Sequence, residues 1–406
     1  MSHELKKKVA VIGLGYIGLP TAALLASQGY QVLGTDVSRH VVDTINRGEI
    51  HIVEPDLDAY VRSAVSRGLL KASTEVKPAD VYMLCVPTPF HIDNGIPTPN
   101  VDYVMGAAKS VSKHIKAGDI VILESTSPVG TTALVKDVLA KQGVNVDEIY
   151  IAYCPERVLP GKIMLELVQN DRVIGGINEV STKVVAEFYR NFVKGEILET
   201  EAKTAEMCKL TENSFRDVNI AFANELSMIC ANNGVDVWEL IKLANHHPRV
   251  NILQPGTGVG GHCIAVDPWF IVSSDQKNAK LIKQAREVND SKPNWVVEKI
   301  FQEAKDSGKA NPQIACLGLA FKPDIDDLRE SPASTVASSL MSLDLRVVCV
   351  EPNIEAHPDF LMTSLDDALK NADVIAVLVG HKEFRSEVNK EYLRSAKAMD
   401  FCGILT

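Results

Sequence analysis

KVAVIGLGYIGLPTAALLASQGYQVLGTD, residues 8–36, is where the architecture declares itself. Lys8 to Tyr16 reads as a buried parallel strand, an apolar helical pattern runs from Ile17 to Gln28, and a second strand closes on Asp36. The turn between strand and helix is Gly13-Leu14-Gly15-Tyr16-Ile17-Gly18, a G-x-G-x-x-G string. Alone that string is a weak signal. Its context strengthens it: a strand before, a helix after with Pro20 in the first turn, and an acid 18 residues beyond Gly18. Gly13, Gly15 and Gly18, with Tyr16 and Ile17 between them, then form a turn that lets backbone approach a pyrophosphate at a helix N-terminus. Asp36 would accept hydrogen bonds from a ribose diol and repel a 2′-phosphate, which favours NAD over NADP, although Arg39 close by tempers that preference.

Outward from this unit the same grammar continues. Ala79 to Pro89 and Asp119 to Pro128 are further apolar strands between helical patterns, and Thr88 and Thr126 fall at their C-terminal ends, where open α/β sheets bind ligands. Both are candidate NAD contacts. Near the C-terminus, Gln313 to Phe321, Arg346 to Asn353 and Ala372 to His381 repeat the strand sequence, in a copy that reads as having lost the glycine loop. Between the copies, Thr204 to Asn233 has no proline and carries apolar residues at helical spacing, which predicts one long helix of about 45 Å. The expected fold is α/β: two Rossmann-like doubly wound domains joined by a long central helix. The expected division is residues 1–200 for NAD, 201–300 for a central helical domain, and 301–406 for a nucleotide-sugar domain. A helix that long must bury its apolar stripe, and a second copy of the chain is the expected partner.

Composition narrows the function classes. With 406 residues, 46% hydrophobic and 23% charged, the chain has ample material for two or three cores. Its longest apolar runs fall far short of the roughly 20 residues that span a bilayer, and MSHELKKK is not followed by a signal-peptide core. No membrane partner and a cytoplasmic location are expected. A net charge of −10 argues against nucleic acid, so any anionic ligand must find local cations. The eight cysteines show neither C-x-x-C pairs nor zinc spacing, which suits reduced thiols and implies no metal site.

One further segment carries chemistry. Gly256-Thr-Gly-Val-Gly-Gly-His-Cys263 places four glycines within six residues, which is costly in entropy unless something must approach the backbone, and a ligand is the expected reason. Cys263 at its end is then a candidate thiolate nucleophile. A free cysteine without such a loop is more often a small buried hydrophobe.

At this point the motifs become recognisable. GLGYIGLP, STSPVGT, PERVLPG, KLTENSFRDVNIAFANE, GVGGHC with Asp267 four residues on, and AFKPDIDDLRESP are collinear and together resemble the UDP-glucose/GDP-mannose dehydrogenase family over essentially the whole chain. The resemblance implies oxidation of the C6 alcohol of a UDP-sugar to a carboxylate with two NAD, the half-oxidised sugar being held on Cys263 as thiohemiacetal and thioester. It implies that Lys209 acts on the C6 hydroxyl proton or stabilises the alkoxide, that Asn213 holds the same oxygen, and that Arg216, on the same helical face, contacts the sugar or diphosphate. Asp267 would orient Lys209 or Cys263 or the hydrolytic water, and Glu156 would assist thioester hydrolysis. Arg157, Val158, His247, Arg249, Gly260 and Lys322 match substrate-anchoring positions, Arg249 reaching a neighbouring subunit's site in a homodimer, and Arg329 matches a residue that closes over NAD. For each charged residue the bland alternative is a solvated surface charge or a structural ion pair.

PERVLPG and GHCIAVDPWF look most like the branch that oxidises UDP-N-acetylmannosamine. UDP-glucose members are similar but carry Ser and Lys where this chain has His262 and Val266, and often a second carboxylate shortly after the position of Glu156. UDP-N-acetylglucosamine and UDP-glucose remain alternative substrates. A two-electron hydroxyacid dehydrogenase shares the first domain and a long helix, and a non-catalytic nucleotide-sugar sensor is the third class.

Overall fold

The computed structural model describes residues 7–93, 95–159, 161–261 and 264–406. The strands, in chain order, are β1 (Lys8–Ile12), β2 (Gln31–Thr35), β3 (Leu70–Ser73), β4 (Val81–Leu84), β5 (Phe90–Asp93), β6 (Ile96–Pro99), β7 (Ile120–Leu123), β8 (Tyr150–Tyr153), β9 (Arg172–Gly176), β10 (Ile197–Glu201), β11 (Gln313–Leu317), β12 (Arg346–Val350), β13 (Val374–Val377) and β14 (Met399–Asp400). The chain divides into two compact units, 1–211 and 212–406.

In the first unit eight strands form one sheet in the order β10-β9-β8-β7-β4-β1-β2-β3, parallel throughout except where β9 meets β8. β5 and β6 form a separate antiparallel hairpin. Alternation along β1 explains how one strand serves two cores. Val9 and Val11 pack with the helix Gly18–Ser27 on one face, while Ala10 and Ile12 join Tyr82, Leu84 and Val121 on the other. Chain order reverses at β1, with β2 on one side and β4 on the other, which is the switch point where such sheets bind ligands.

The second unit repeats this plan on four parallel strands, β12-β11-β13-β14. Ile314 and Cys316 face one core, Ala315 and Leu317 the other. The expectation that this copy has lost its glycine loop needs correction. Gly318 occupies the position of Gly13: both have φ +91°, and both donate N–H to the last residue of the neighbouring strand, Val350 O and Thr35 O, at 2.8 Å. Glu351 stands where Asp36 stands, one residue past that strand. What is missing is the second and third glycine, since the turn continues Leu319-Ala320-Phe321-Lys322-Pro323. Glu351 accepts from Leu319 N at 2.8 Å, as Asp36 does from the equivalent Leu14 N at 3.0 Å, and in addition from Ala320 N at 3.0 Å, the amide at the position of Gly15.

The long helix is Ala202–Asn233, 32 residues or about 48 Å, starting two residues earlier than the apolar periodicity predicts. A second long helix, Lys280–Asp306, carries Pro293 within it and buries Arg286, Asn289 and Lys292. Among the described residues no helix is long and apolar enough to cross a membrane.

Candidate active site

The turn after β1 gives each glycine a separate reason. Gly13 sits at positive φ, and a Cβ there would lie 2.6 Å from Cys85 O. Gly18 opens the first helix against Gly13 O, a contact no side chain could share. A Cβ on Gly15 would meet nothing within 4 Å. Packing therefore does not require glycine at position 15, and an open backbone beside a helix N-terminus is what a pyrophosphate needs. Asp36 accepts from Leu14 N at 3.0 Å and Ser38 N at 2.9 Å, which fixes its carboxylate at the rim of the turn. Tyr16 and Ile17 are half-buried beside it. These residues fit a dinucleotide such as NAD.

Thr88 and Thr126 are brought together, Thr88 Oγ1 donating to Thr126 O at 2.6 Å across the ends of β4 and β7. The ends of the same strands hold a cluster the sequence did not announce, with Cys85 half-buried and Glu124 and Cys154 buried. Cys85, Glu124 and Cys154 each follow directly on the last residue of β4, β7 and β8. Glu124 accepts from Tyr189 OH at 2.6 Å and from Cys85 Sγ at 3.2 Å. Burial, and then the charge of Glu156, raise its pKa to about 6. Burial pushes the Cys154 thiol up to about 12, so it is held neutral. Glu156 itself is buried, with Oε2 on Arg172 at 2.7 Å and Oε1 accepting from Arg157 N at 2.6 Å. Burial works against the Arg172 guanidinium, but Glu156 together with Cys154, Tyr189 and Glu124 outweighs it and the pKa is raised. The structural ion pair considered for Glu156 is thus present. Arg157 sends NH1 to Asp171 O at 3.2 Å, and Val158 is half-buried next to it.

On the long helix Lys209 and Asn213 are buried, whereas Arg216 is exposed. In the second unit Asn213 Nδ2 donates to Asp267 Oδ2 at 2.5 Å. Asp267 is the first residue of the helix Asp267–Ser274, with Pro268 behind it. His262 and Cys263 lie outside the described residues, and the helix bearing Asp267 starts four residues after Cys263.

The glycine loop differs from expectation in its cause. A Cβ on Gly260 would collide with Glu330 O and stand 2.7 Å from Pro332 Cδ and 2.9 Å from Phe321 Cβ. Gly261, at φ +83°, would come within 3.0 Å of the Phe321 ring, and Gly258, at φ +143°, within 3.0 Å of Pro332. What approaches this backbone is the segment 321–332 of the same unit, so the protein's own packing accounts for these three glycines. Arg329 is exposed and held by Asp327, Nε to Oδ1 at 2.8 Å and NH2 to Oδ2 at 2.6 Å. Lys322 is half-buried in the same segment. His247 and Arg249 are exposed on the loop after the helix Val237–Ala244, where Arg249 N donates to His247 Nδ1 at 3.4 Å.

Sequence reading also missed a buried polar chain in the second unit, formed by Asp217 and Asn224 of the first long helix with Arg286 and Asn289 of the second. The available signal was polar residues at core spacing: Asp217 and Asn224 are seven apart, and Arg286 and Asn289 three apart.

Comparison with known proteins adds three findings in chain order. Residues 7–193 match the NAD binding domain of the UDP-glucose/GDP-mannose dehydrogenase family, 203–291 its central domain, and 315–406 its UDP binding domain. A UDP-N-acetyl-D-mannosamine dehydrogenase of Campylobacter jejuni is 54% identical, covering 97% of this chain and 99% of its own. An NDP-N-acetyl-D-galactosaminuronic acid dehydrogenase of Ralstonia nicotianae is 51% identical, covering 98% and 96%. The solved structure of a UDP-D-ManNAc dehydrogenase from Pyrococcus horikoshii superimposes with a TM-score of 0.90 at 39% identity, covering 98% of this chain and 96% of that one.

Proposed function

The chain belongs to the UDP-glucose/GDP-mannose dehydrogenase family and is an NAD-dependent nucleotide-sugar dehydrogenase, and from that premise we propose that it oxidises C6 of UDP-N-acetyl-D-mannosamine to the uronate. The observation that carries the site reading is the buried Asn213–Asp267 pair, which ties the long helix to the segment just past Cys263.

NAD, when bound, supplies hydride acceptance. The residues of the chain do the rest. Gly13, Gly15 and Gly18 admit the pyrophosphate, Asp36 takes the ribose diol, and Thr88, Thr126 and Arg329 complete the cofactor's contacts. Lys209 receives the proton of the C6 hydroxyl and Asn213 holds that oxygen, so that hydride departure leaves an aldehyde. The Cys263 thiolate adds to the aldehyde carbon and its oxygen takes a proton, giving a thiohemiacetal. Loss of a second hydride and that proton leaves a thioester. Water then adds, the C–S bond breaks, and thiolate and carboxylate separate. One alcohol and one water yield one carboxylate, two hydrides and three protons.

Asp267, aligned by Asn213, and Glu156, held by Arg172 and Arg157 N, are the carboxylates we assign to the hydrolytic water. Arg157, Val158, Arg216, His247, Gly260 and Lys322 anchor the UDP-sugar, whose diphosphate needs local cations on a chain of net charge −10. The protein acts as a homodimer in the cytoplasm, with Arg249 entering the neighbouring site. An exposed apolar row on the long helix, Phe215, Phe222 and Ile229, supports the dimer.

The Ralstonia relative favours a second reading, another UDP-N-acetylhexosamine. Incubating the protein and NAD with UDP-N-acetylmannosamine, its galacto and gluco epimers and UDP-glucose separates them. The highest kcat/KM is expected for the manno sugar, with two NADH per sugar. A higher value for another sugar overturns the substrate assignment, and one NADH per sugar overturns the four-electron scheme. Cys263→Ser is expected to abolish uronate formation, and uronate produced at the normal rate by that variant removes the covalent step.

A further inference from the structure

The glycine-rich loop must present Cys263 reproducibly, yet a run of glycines has more backbone freedom than any other sequence of its length. Its downstream end is pinned by the contacts of Gly260 and Gly261 with Phe321, Glu330 and Pro332. Its upstream end is held by a side chain: Gly256 N donates to Asn224 Oδ1 at 2.8 Å. Asn224 Nδ2 donates in turn to Asn289 Oδ1 at 2.9 Å, and Asn289 Nδ2 to Asp217 Oδ1 at 2.8 Å. Arg286 NH1 also donates to Asp217 Oδ1, at 2.6 Å. All four side chains are buried.

The direction of this chain is forced. A backbone N–H can only donate, so Asn224 must turn its oxygen toward Gly256 and its NH2 toward Asn289. Asn289 must then offer its oxygen to Asn224 and its NH2 onward, which requires a pure acceptor at the end, and the Asp217 carboxylate is one. Two amides in series between an N–H and a carboxylate have one satisfiable orientation. A second arm locks the same residue: Ser227 Oγ donates to Asn224 O at 2.6 Å and accepts from Lys292 Nζ at 2.6 Å.

We propose that Asn224 and Asn289 are positioning residues for the reaction: they relay a fixed hydrogen-bond polarity from the Asp217–Arg286 pair to Gly256 and so hold the loop that presents Cys263. The proposal rests on the reading of Cys263 as nucleophile. An ångström of slack in a reacting group costs on the order of a hundredfold in rate, so the chain acts on kcat while leaving cofactor binding alone.

A polarity swap tests it. In Asn224→Asp the new carboxylate still accepts from Gly256 N, but wherever Asn289 turns, two acceptors face each other, at position 224 or at position 217. Replacing Asn289 by Leu removes the amide that the new carboxylate would face, so in an Asn289→Leu background Asn224→Asp loses the reason for its penalty while Gly256 N keeps its acceptor. Expected for Asn224→Asp are a kcat for uronate lower by roughly ten- to a hundredfold, slower alkylation of the Cys263 thiol by iodoacetamide, faster hydrogen exchange at the amides of 256–261, and an unchanged KM for NAD. In the Asn289→Leu background, itself slow because the relay is cut, the added Asn224→Asp is expected to change each readout by less than about threefold.

An Asn224→Asp penalty of equal size with and without Asn289→Leu overturns the relay, as does an Asn224→Asp variant with normal kcat and normal loop exchange. If Asn224→Asp does not fold, Asn289→Leu still decides: a folded Asn289→Leu variant with lowered kcat, faster exchange at 256–261 and an unchanged KM for NAD supports the relay, and one with normal kcat and normal loop exchange refutes it. These outcomes are separable from failure of the nucleophile reading, which would appear as normal uronate production by Cys263→Ser, with the loop-exchange changes of Asn224→Asp intact.

Discussion

Glu124 is surrounded by groups far away in sequence, Cys85 at 39 residues and Tyr189 at 65, and for that reason no motif reveals it. The glycine turn was legible because its three glycines and Asp36 act through backbone and local spacing. A buried carboxylate is defined by whatever the fold brings to it. Burial first, and then Glu156, lift its pKa from 4.5 to about 6, with Arg172 opposing. Between those two pH values the folded protein keeps a proton that the unfolded chain has released. The stabilisation from this group is therefore complete below pH 4.5 and is lost as pH rises through about 6. Glu124→Gln keeps an acceptor for Tyr189 and removes the charge. At pH 7.5 the variant is expected to be more stable by about 2 kcal/mol, the equivalent of the pKa difference, and near pH 4.5 the gain should vanish. Urea midpoints at the two pH values measure this, and an equal gain at both would mean that the charge of Glu124 is not what matters.

At the scale of elements, the first helix, the second strand and the long helix were read to within two residues, because period-2 and period-3.6 patterns survive in the bare sequence, whereas the first strand was drawn four residues too long, into the glycine turn that ends it at Ile12. The second long helix was not read, and Pro293, a residue that ordinarily breaks a helix, sits buried inside Lys280–Asp306. The glycine loop shows a subtler failure. The glycines did imply close approach, but the approaching group is the chain itself at 321–332, and nothing local distinguishes that from a ligand. The two glycine elements accordingly predict opposite phenotypes. Gly15→Ala adds a methyl where nothing lies within 4 Å, so stability should hold while the KM for NAD rises severalfold. Gly260→Ala drives a Cβ onto Glu330 O and Pro332, so it should cost about 1–3 kcal/mol of stability and lower kcat with the KM for NAD unchanged. Thermal melts beside NAD titrations distinguish them. A stable Gly260→Ala with normal kcat would show that the loop absorbs the methyl by moving.

At the scale of the whole molecule, the repeated strand grammar of the two ends was visible in the sequence, while the fate of the long helix's outer face was only inferable. Phe215, Phe222 and Ile229, spaced seven apart, are 67%, 55% and 50% exposed, and Val218 and Leu226 lie between them half-buried. A heptad row of this kind along 32 residues matches the seam by which helices of two chains pack. Phe222→Glu should therefore yield monomers by light scattering at concentrations where the unaltered chain is dimeric. If Arg249 serves the neighbouring site, those monomers should also be inactive, because each site would lack its cation. Mixing settles which chain Arg249 serves. Arg249→Ala and Cys263→Ser should each be inactive alone. In a heterodimer of the two, the site with an intact Cys263 belongs to the chain lacking Arg249, and it regains activity only if the arginine comes from the partner. Random exchange makes half the dimers mixed, each with one complete site, so recovery of roughly a quarter of normal activity is expected for a two-fold dimer. No recovery despite heterodimers detected by native mass spectrometry would mean that Arg249 acts within its own chain.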